Sequence, residues 1–378
     1  MSEPFDLSNL GAMLQQLGAM MQRADQLPEG AVDWDTVQQT ARQVIMQQSD
    51  PSVVGAEHDR VRAAYEIAAL WLDSVTDFAA PGHNAAAWSR SEWLLHTFDG
   101  WKALLEPIAL SMQRSVGDAV AAQQLPEELR AMLAPMMGMM QRISSVMSAQ
   151  QVGQALGALA CDAWSTADIG IPLAGGGITG LATRNTREFA ESMEIDLRDF
   201  ETYLVLREAA AQRLFAAAPW IAPRIRDAVA EYAGSVHVDA DRLRELMEER
   251  DLSDPEAIQQ MMQSGQGIEL PMTAGNTAAL ARIELLIALI EGWVEFVTEQ
   301  AHGGRIGSAP VIREALRRRR ATGGPSERVL AQLLSLELRP RRLRESAAFW
   351  AAQDPAHRDG MWAHPDFLPT SLGDAISD

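Results

Sequence analysis

The stretch YLVLREAAAQRLFAAAPW, Tyr203–Trp220, leaves the chain few options. It is built from strong helix formers, and Pro219 ends the run because it has no N–H to continue a helix. The spacing predicts an amphipathic helix over 203–218. A second segment, Leu280–Val297, is the most apolar run in the chain, yet Arg282, Glu284, Glu291 and Glu295 interrupt it. It therefore reads as part of a buried amphipathic helix over 274–301 and not as a membrane span, which tolerates few charges. Aromatic residues make up only 6%, while Ala, Leu and Met are prominent. That balance suits helix-on-helix packing better than sheets.

The remaining segments follow the same pattern. Leu10, Met13, Leu14, Leu17 and Met21 fall at helical spacing after a polar arm. Asp33 or Asp35 can cap a helix that runs through Val44. A long helix is expected from Ala56 to Asp77, with Val61, Tyr65, Ala68, Leu72 and Val75 on one stripe, ended by the turn Ala80–His83. Another starts at Ser91, reaches Pro107 and resumes through Val120. Leu125-Pro-Glu-Glu opens a Met-rich segment, and 152–164 is a further helix whose small residues permit close backbone approach. A Gly-rich connector, Asp168–Leu181, leads to a short helix at Asn185–Met193. Residues 223–234 continue as helix. Val236–Asp239 and Gln266–Leu270 are possible short strands, with capped helices at 242–249 and 254–263 between them.

Charge and cysteine usage narrow the classes of function. A net charge of −19 argues against general nucleic-acid affinity and for a self-repelling soluble surface. Cys161 is the single cysteine, so no intrachain disulfide forms and a reducing cytoplasm is the expected location. Residues 1–9 are acidic and polar and do not read as a signal peptide. Basic residues concentrate in Arg317, Arg318, Arg319 and Arg320, with Arg339, Arg341, Arg342 and Arg344 beyond them. Two readings stand for these clusters. They form an anion- or partner-binding face, or they pair internally with this acidic chain.

The window Arg207-Glu208-Ala209-Ala210-Ala211 lies on the central helix. Residues four apart on a helix lie one above the other, which is how the two His side chains of a His-Glu-x-x-His motif bind one zinc. Here Glu208 stands at the general-base position, Arg207 at the first His and Ala211 at the second. Alanine has no donor atom, and arginine stays protonated. Among the seven histidines (58, 83, 96, 237, 302, 357 and 364), no two are four residues apart. His302 and His364 are the candidates for a ligand brought in from a distance.

From Leu10 onward the chain resembles the bacterial zincin-like type 2 family of zinc-dependent metallopeptidases. The residues that carry the resemblance are LGAMLQQLGAMM (Leu10–Met21), DWDTVQQTARQV (Asp33–Val44), ALWLDSVT (Ala69–Thr76) and AWSRSEWL (Ala87–Leu94). It continues in GQALGALA (Gly153–Ala160), DIGIPL (Asp168–Leu173), REAAAQRLFAAAPW (Arg207–Trp220) and LIALIEGWVEFV (Leu286–Val297). LRRRRATGGPSE (Leu316–Glu327), LELRPRRLRESA (Leu336–Ala347) and MWAHPDFLP (Met361–Pro369) complete it. The resemblance implies a mainly α, zincin-like metallopeptidase fold with an N-terminal helical lobe. It also implies Glu291 as the third ligand position. An unpaired carboxylate after the apolar run 285–290 is costly to bury, so Glu291 needs a cation. Zinc would supply one; the guanidinium of Arg207, near Glu291 and Glu208, would supply another.

The expected organisation is an arm and short helix at 1–30, a helical lobe at 31–150 and a zincin-like lobe at 151–378. The resemblance implies a zinc-dependent peptidase. The residues point to a zinc-free pseudopeptidase, with no cofactor, that binds or scaffolds a protein partner away from membranes. The alternatives are an active metallopeptidase with an unconventional zinc site and, third, a nucleic-acid-associated factor that uses the Arg clusters.

Overall fold

The structure, a computed structural model, describes residues 31–82, 85–121, 127–237, 239, 242, 273, 275–321, 329 and 340–372. Helix dominates. In chain order the helices are α1 (Trp34–Gln47), α2 (Gly55–Leu72), α3 (Arg90–Ala121), α4 (Glu127–Ala160), α5 (Thr183–Ser192), α6 (Leu197–Ala217), α7 (Ile221–Ser235), α8 (Thr277–His302), α9 (Ala309–Ala321), α10 (Pro340–Ala352) and α11 (Pro355–Arg358). Two four-residue strands, β1 (Ala85–Trp88) and β2 (Thr179–Ala182), pair in parallel, Ala85 opposite Thr179 and Trp88 opposite Ala182. No described helix is long and apolar enough to cross a membrane.

Side chains set where several helices begin. Asp33 accepts from the backbone N–H of Asp35 and Thr36 and starts α1. Asp196 does the same for α6 through Asp199, and Asn276 for α8 through Ala278 and Ala279. Each occupies N–H groups that the first helical turn leaves unpaired.

α6 and α8 form the axis of the molecule. In α6 the residues from Tyr203 to Leu206 and from Glu208 to Leu214 are all buried, so every face is covered. Helix α2 packs along α6, and its stripe Val61, Tyr65, Ala68 and Leu72 is buried. α8 lies against α6, α7 and α10. One continuous apolar cluster runs from Val37 in α1 to Leu372. α1 packs on α4 through two glycines. A Cβ on Gly153 would meet the Val37 carbonyl at 2.7 Å, and one on Gly157 would meet the Ala41 carbonyl at 2.8 Å.

Several boundaries differ from the sequence reading. α2 stops at Leu72, five residues before Asp77, and turns through Ser74 and Val75. α3 runs unbroken through Pro107, which forfeits only its own N–H, the one that would bond the Ala103 carbonyl. The Met-rich segment and the helix expected at 152–164 are one helix, α4. The strand pair β1–β2 was not anticipated, because Ala85-Ala-Ala-Trp88 carries no alternating pattern. Gly180 makes it possible, since the Trp88 ring occupies the space a Cβ would fill, and that ring stacks on His96 at 4.5 Å. The helices expected at 10–21 and 254–263 and the strand at 266–270 lie outside the described residues. Of the 242–249 helix only its start is described, where Asp239 accepts from the Arg242 N–H.

Candidate functional site

Arg207 and Ala211 line one side of a single cleft, as residues four apart on a helix should. The opposite wall comes from the connector after α4 (Trp164, Ser165, Ala167 and Asp168) and from Arg319 and Arg320 of α9. Glu291 of α8 reaches in from beside it. Its Oε2 accepts from Nη2 of Arg207 at 2.9 Å and from Nη2 of Arg320. Of the three positions that the resemblance implies for metal ligands, Arg207 and Glu291 therefore meet, and Ala211 lines the same cleft as Arg207. Glu291 is 3% exposed, and the side chains of Arg207 and Arg320 are 11% and 16% exposed, so these charges meet largely out of water.

Arg207 pairs with Glu291 and not with its neighbour Glu208. Successive helical residues diverge by about 100°, and Glu208 turns to the connector. Its Oε1 pairs with the Thr166 hydroxyl and accepts from Gln212 Nε2 at 2.9 Å. Its Oε2 accepts from the Ala167 N–H at 3.1 Å. Burial pushes the Glu208 carboxyl up to about 7, and Asp168 adds to the rise. Hydrogen bonds from Thr166, Ser165 and Gln212 resist it. Asp168 folds the connector onto α6 by accepting from the Trp164 N–H at 2.5 Å and the Ser165 hydroxyl at 2.7 Å.

The arginines of α9 are engaged within the chain. Arg317 pairs with Glu295 at 2.7 Å, and Arg318 with Glu314 at 2.7 Å. Arg319 pairs with Asp162 and lies 3.7 Å over the Trp164 ring. Burial alone would raise Glu295, but Arg207, Arg317 and Arg320 outweigh it and hold the carboxyl below its usual range. Arg342 of α10 pairs with Glu284 at 2.9 Å. Arg339 and the Arg341 side chain lie outside the described residues. Sequence reasoning missed Arg320 as a partner of Glu291, and Thr166 and Ala167 as partners of Glu208. Only Gln212, four residues after Glu208, could have been found from helical spacing.

A zinc ion does not fit this donor set. Ala211 offers no ligand atom, Arg207 is a cation, and two guanidiniums already engage Oε2 of Glu291. His302 ends the same continuous helix eleven residues after Glu291, about 16 Å along its axis. Its Nδ1 accepts from the Gly304 N–H. The His364 side chain is 58% exposed and its Nδ1 accepts from Asp366. Neither histidine belongs to the cleft. Among the described residues, no group of three or more His, Cys, Asp or Glu is arranged to hold a metal. The open space in the cleft is about 30 Å³, room for roughly two waters.

Comparison with known proteins comes to two matches. A sequence model of a family described as zincin-like metallopeptidase matches residues 32–373. No curated protein matches the chain. A solved structure, described as a candidate hydrolase with a novel fold from Chloroflexus aurantiacus, is similar with a TM-score of 0.61 and 18% identity. The similarity covers 92% of this chain and 96% of that one. At that identity the likeness speaks to the fold.

Proposed function

The chain belongs to the zincin-like metallopeptidase family, and from that premise we propose that it is a zinc-free, non-catalytic member whose cleft serves binding or scaffolding. One observation carries the reading: Arg207 and Arg320 both donate to Glu291, the residue that the resemblance implies as the third ligand position. In a zincin the metal supplies positive charge to its ligands and makes a nucleophile of its bound water. The guanidiniums replace the charge but cannot polarise a water in that way. Glu208 keeps the general-base position, yet its oxygens are held by Thr166, Ala167 and Gln212. The motif helix survives as the core of the fold, which explains why it persists without its ligands. In this reading residues 31–150 form a supporting helical lobe and 151–378 the lobe that carries the cleft. The chain works in a reducing cytoplasm with a protein partner.

The test is metal content by mass spectrometry on protein purified without chelator or nickel, beside an Arg207→His, Ala211→His double variant. The expected result is no stoichiometric zinc in the unaltered chain and uptake by the variant. Zinc near one per unaltered chain would overturn the reading in favour of an active metallopeptidase.

A further inference from the structure

The cleft still has donors to give. Arg207 uses Nη2 on Glu291, and among the described residues its Nε and Nη1 have no hydrogen-bond partner. A guanidinium offers five N–H donors, and Arg207 lines the open cleft, where these donors are accessible to a ligand. Arg319 and Arg320 line the same space.

The carboxylates in the wall do not take up the remaining donors. Both oxygens of Asp168 accept from neutral donors of the connector, and those of Glu208 accept from Thr166, Gln212 and the Ala167 N–H. Glu291 presents a single oxygen to the two arginines, while its Oε1 lies against the backbone of Gly170. Glu295, whose charge Arg207 also offsets, accepts its hydrogen bond from Arg317, and the cleft is otherwise lined by the apolar Leu204, Ala211 and Val294. A space for roughly two waters is too small for a folded partner or a phosphorylated sugar. A planar anion of three heavy atoms suits it, and guanidinium chemistry favours the carboxylate.

We propose that the cleft is a carboxylate-binding site in which Arg207, flanked by Arg319 and Arg320, takes a single carboxylate group. That group comes from a small free acid or from the C-terminal end of a peptide. The inference rests on the zinc-free reading, since a metal would claim Glu291 and displace the arginine from it.

The full-length chain is titrated with acetate, followed by saturation-transfer NMR of the methyl signal, with zinc content measured on the same sample. The expected result is saturable binding at one site per chain. Arg207→Met leaves Glu291 paired with Arg320 and should weaken acetate by at least about tenfold, the loss of a charge-assisted hydrogen bond. Arg207→Lys should fall between. An N-acetylated dipeptide is then added as competitor. Displacement by its free acid and not by its amide marks a peptide end as the source, displacement by neither marks a small acid, and equal displacement by both overturns the inference. No acetate binding in zinc-free protein, or unchanged binding in folded Arg207→Met, overturns this inference alone. Stoichiometric zinc overturns it together with the zinc-free reading.

Discussion

Gly170 is the surface against which Glu291 rests: a Cβ there would lie 2.9 Å from Cγ of Glu291 and 3.2 Å from its Oε1. Gly170 also holds a left-handed φ of +68°. For an L residue that conformation alone costs about 1–2 kcal/mol. Gly170→Ala should lose more than that, because its methyl group also displaces the acceptor shared by Arg207 and Arg320. Thermal denaturation reads the loss, and a structure of the variant should show Glu291 shifted away from one of the two arginines.

Removing Glu291 is expected to be more damaging still. Glu291→Ala removes the acceptor that two nearly buried guanidiniums share, and taking one partner from a buried pair costs about 3–5 kcal/mol. Arg207→Met should cost clearly less, since Glu291 keeps Arg320. Urea midpoints of the two variants check the order, and equal losses would contradict the shared-acceptor geometry.

Glu208 makes stability depend on pH with an unusual sign. Its carboxyl is raised from the ordinary 4.5 to about 7 by burial, so between those values the folded chain holds a proton that the unfolded chain releases. Its cost is absent below about 4.5, grows as pH rises and is complete above about 7. The total is on the order of 3 kcal/mol. Glu295 and Asp359 are held low, so their contributions change only as pH falls below the ordinary carboxylate range. Glu208→Gln keeps an oxygen to accept from the Ala167 N–H and removes the titrating group. Relative to this variant, the unaltered chain should lose stability across pH 4.5 to 7. Parallel curves would show that Glu208 titrates in its normal range.

The α1–α4 contact should fail at one position. A Cβ on Gly157 would lie 2.7 Å from the Val44 side chain as well as against the Ala41 carbonyl. Gly157→Val therefore forces the helices apart, at a cost of about 1–3 kcal/mol from overpacking. Amide hydrogen exchange should rise first in α1. Gly138→Ala, on the same helix with nothing within 4 Å of the added atom, is the control and should leave exchange in α1 unchanged.

The helices could be read from the sequence because their signals are local. Asp33 precedes its helix directly, and Val61, Tyr65, Ala68 and Leu72 repeat at the helical period. The motif and the resemblance put Arg207, Ala211 and Glu291 in one site; in the structure Arg207 donates to Glu291, and Ala211 lines the same cleft as Arg207. The partners of Glu208 could not be found the same way, because Thr166 stands 42 residues away and nothing local marks it. Arg320 read as one of four basic residues on a helix end. Only the approach of α9 to α8 decides that it turns inward to Glu291 while Arg318 stays on its own helix with Glu314. Pro107 misled in the other direction, since a helix with enough tertiary contacts absorbs a single missing bond.

The parallel pair β1–β2 bears on the order in which the molecule assembles. Ala85 and Thr179 are far apart along the chain, and α3 and α4 lie between them. Two strands of four residues gain too little to close so long a loop by themselves, so pairing has to wait until those helices have docked. The short sheet is then a late latch. Damage to Gly180 or Trp88 would leave the rate of folding nearly untouched and show itself as faster unfolding.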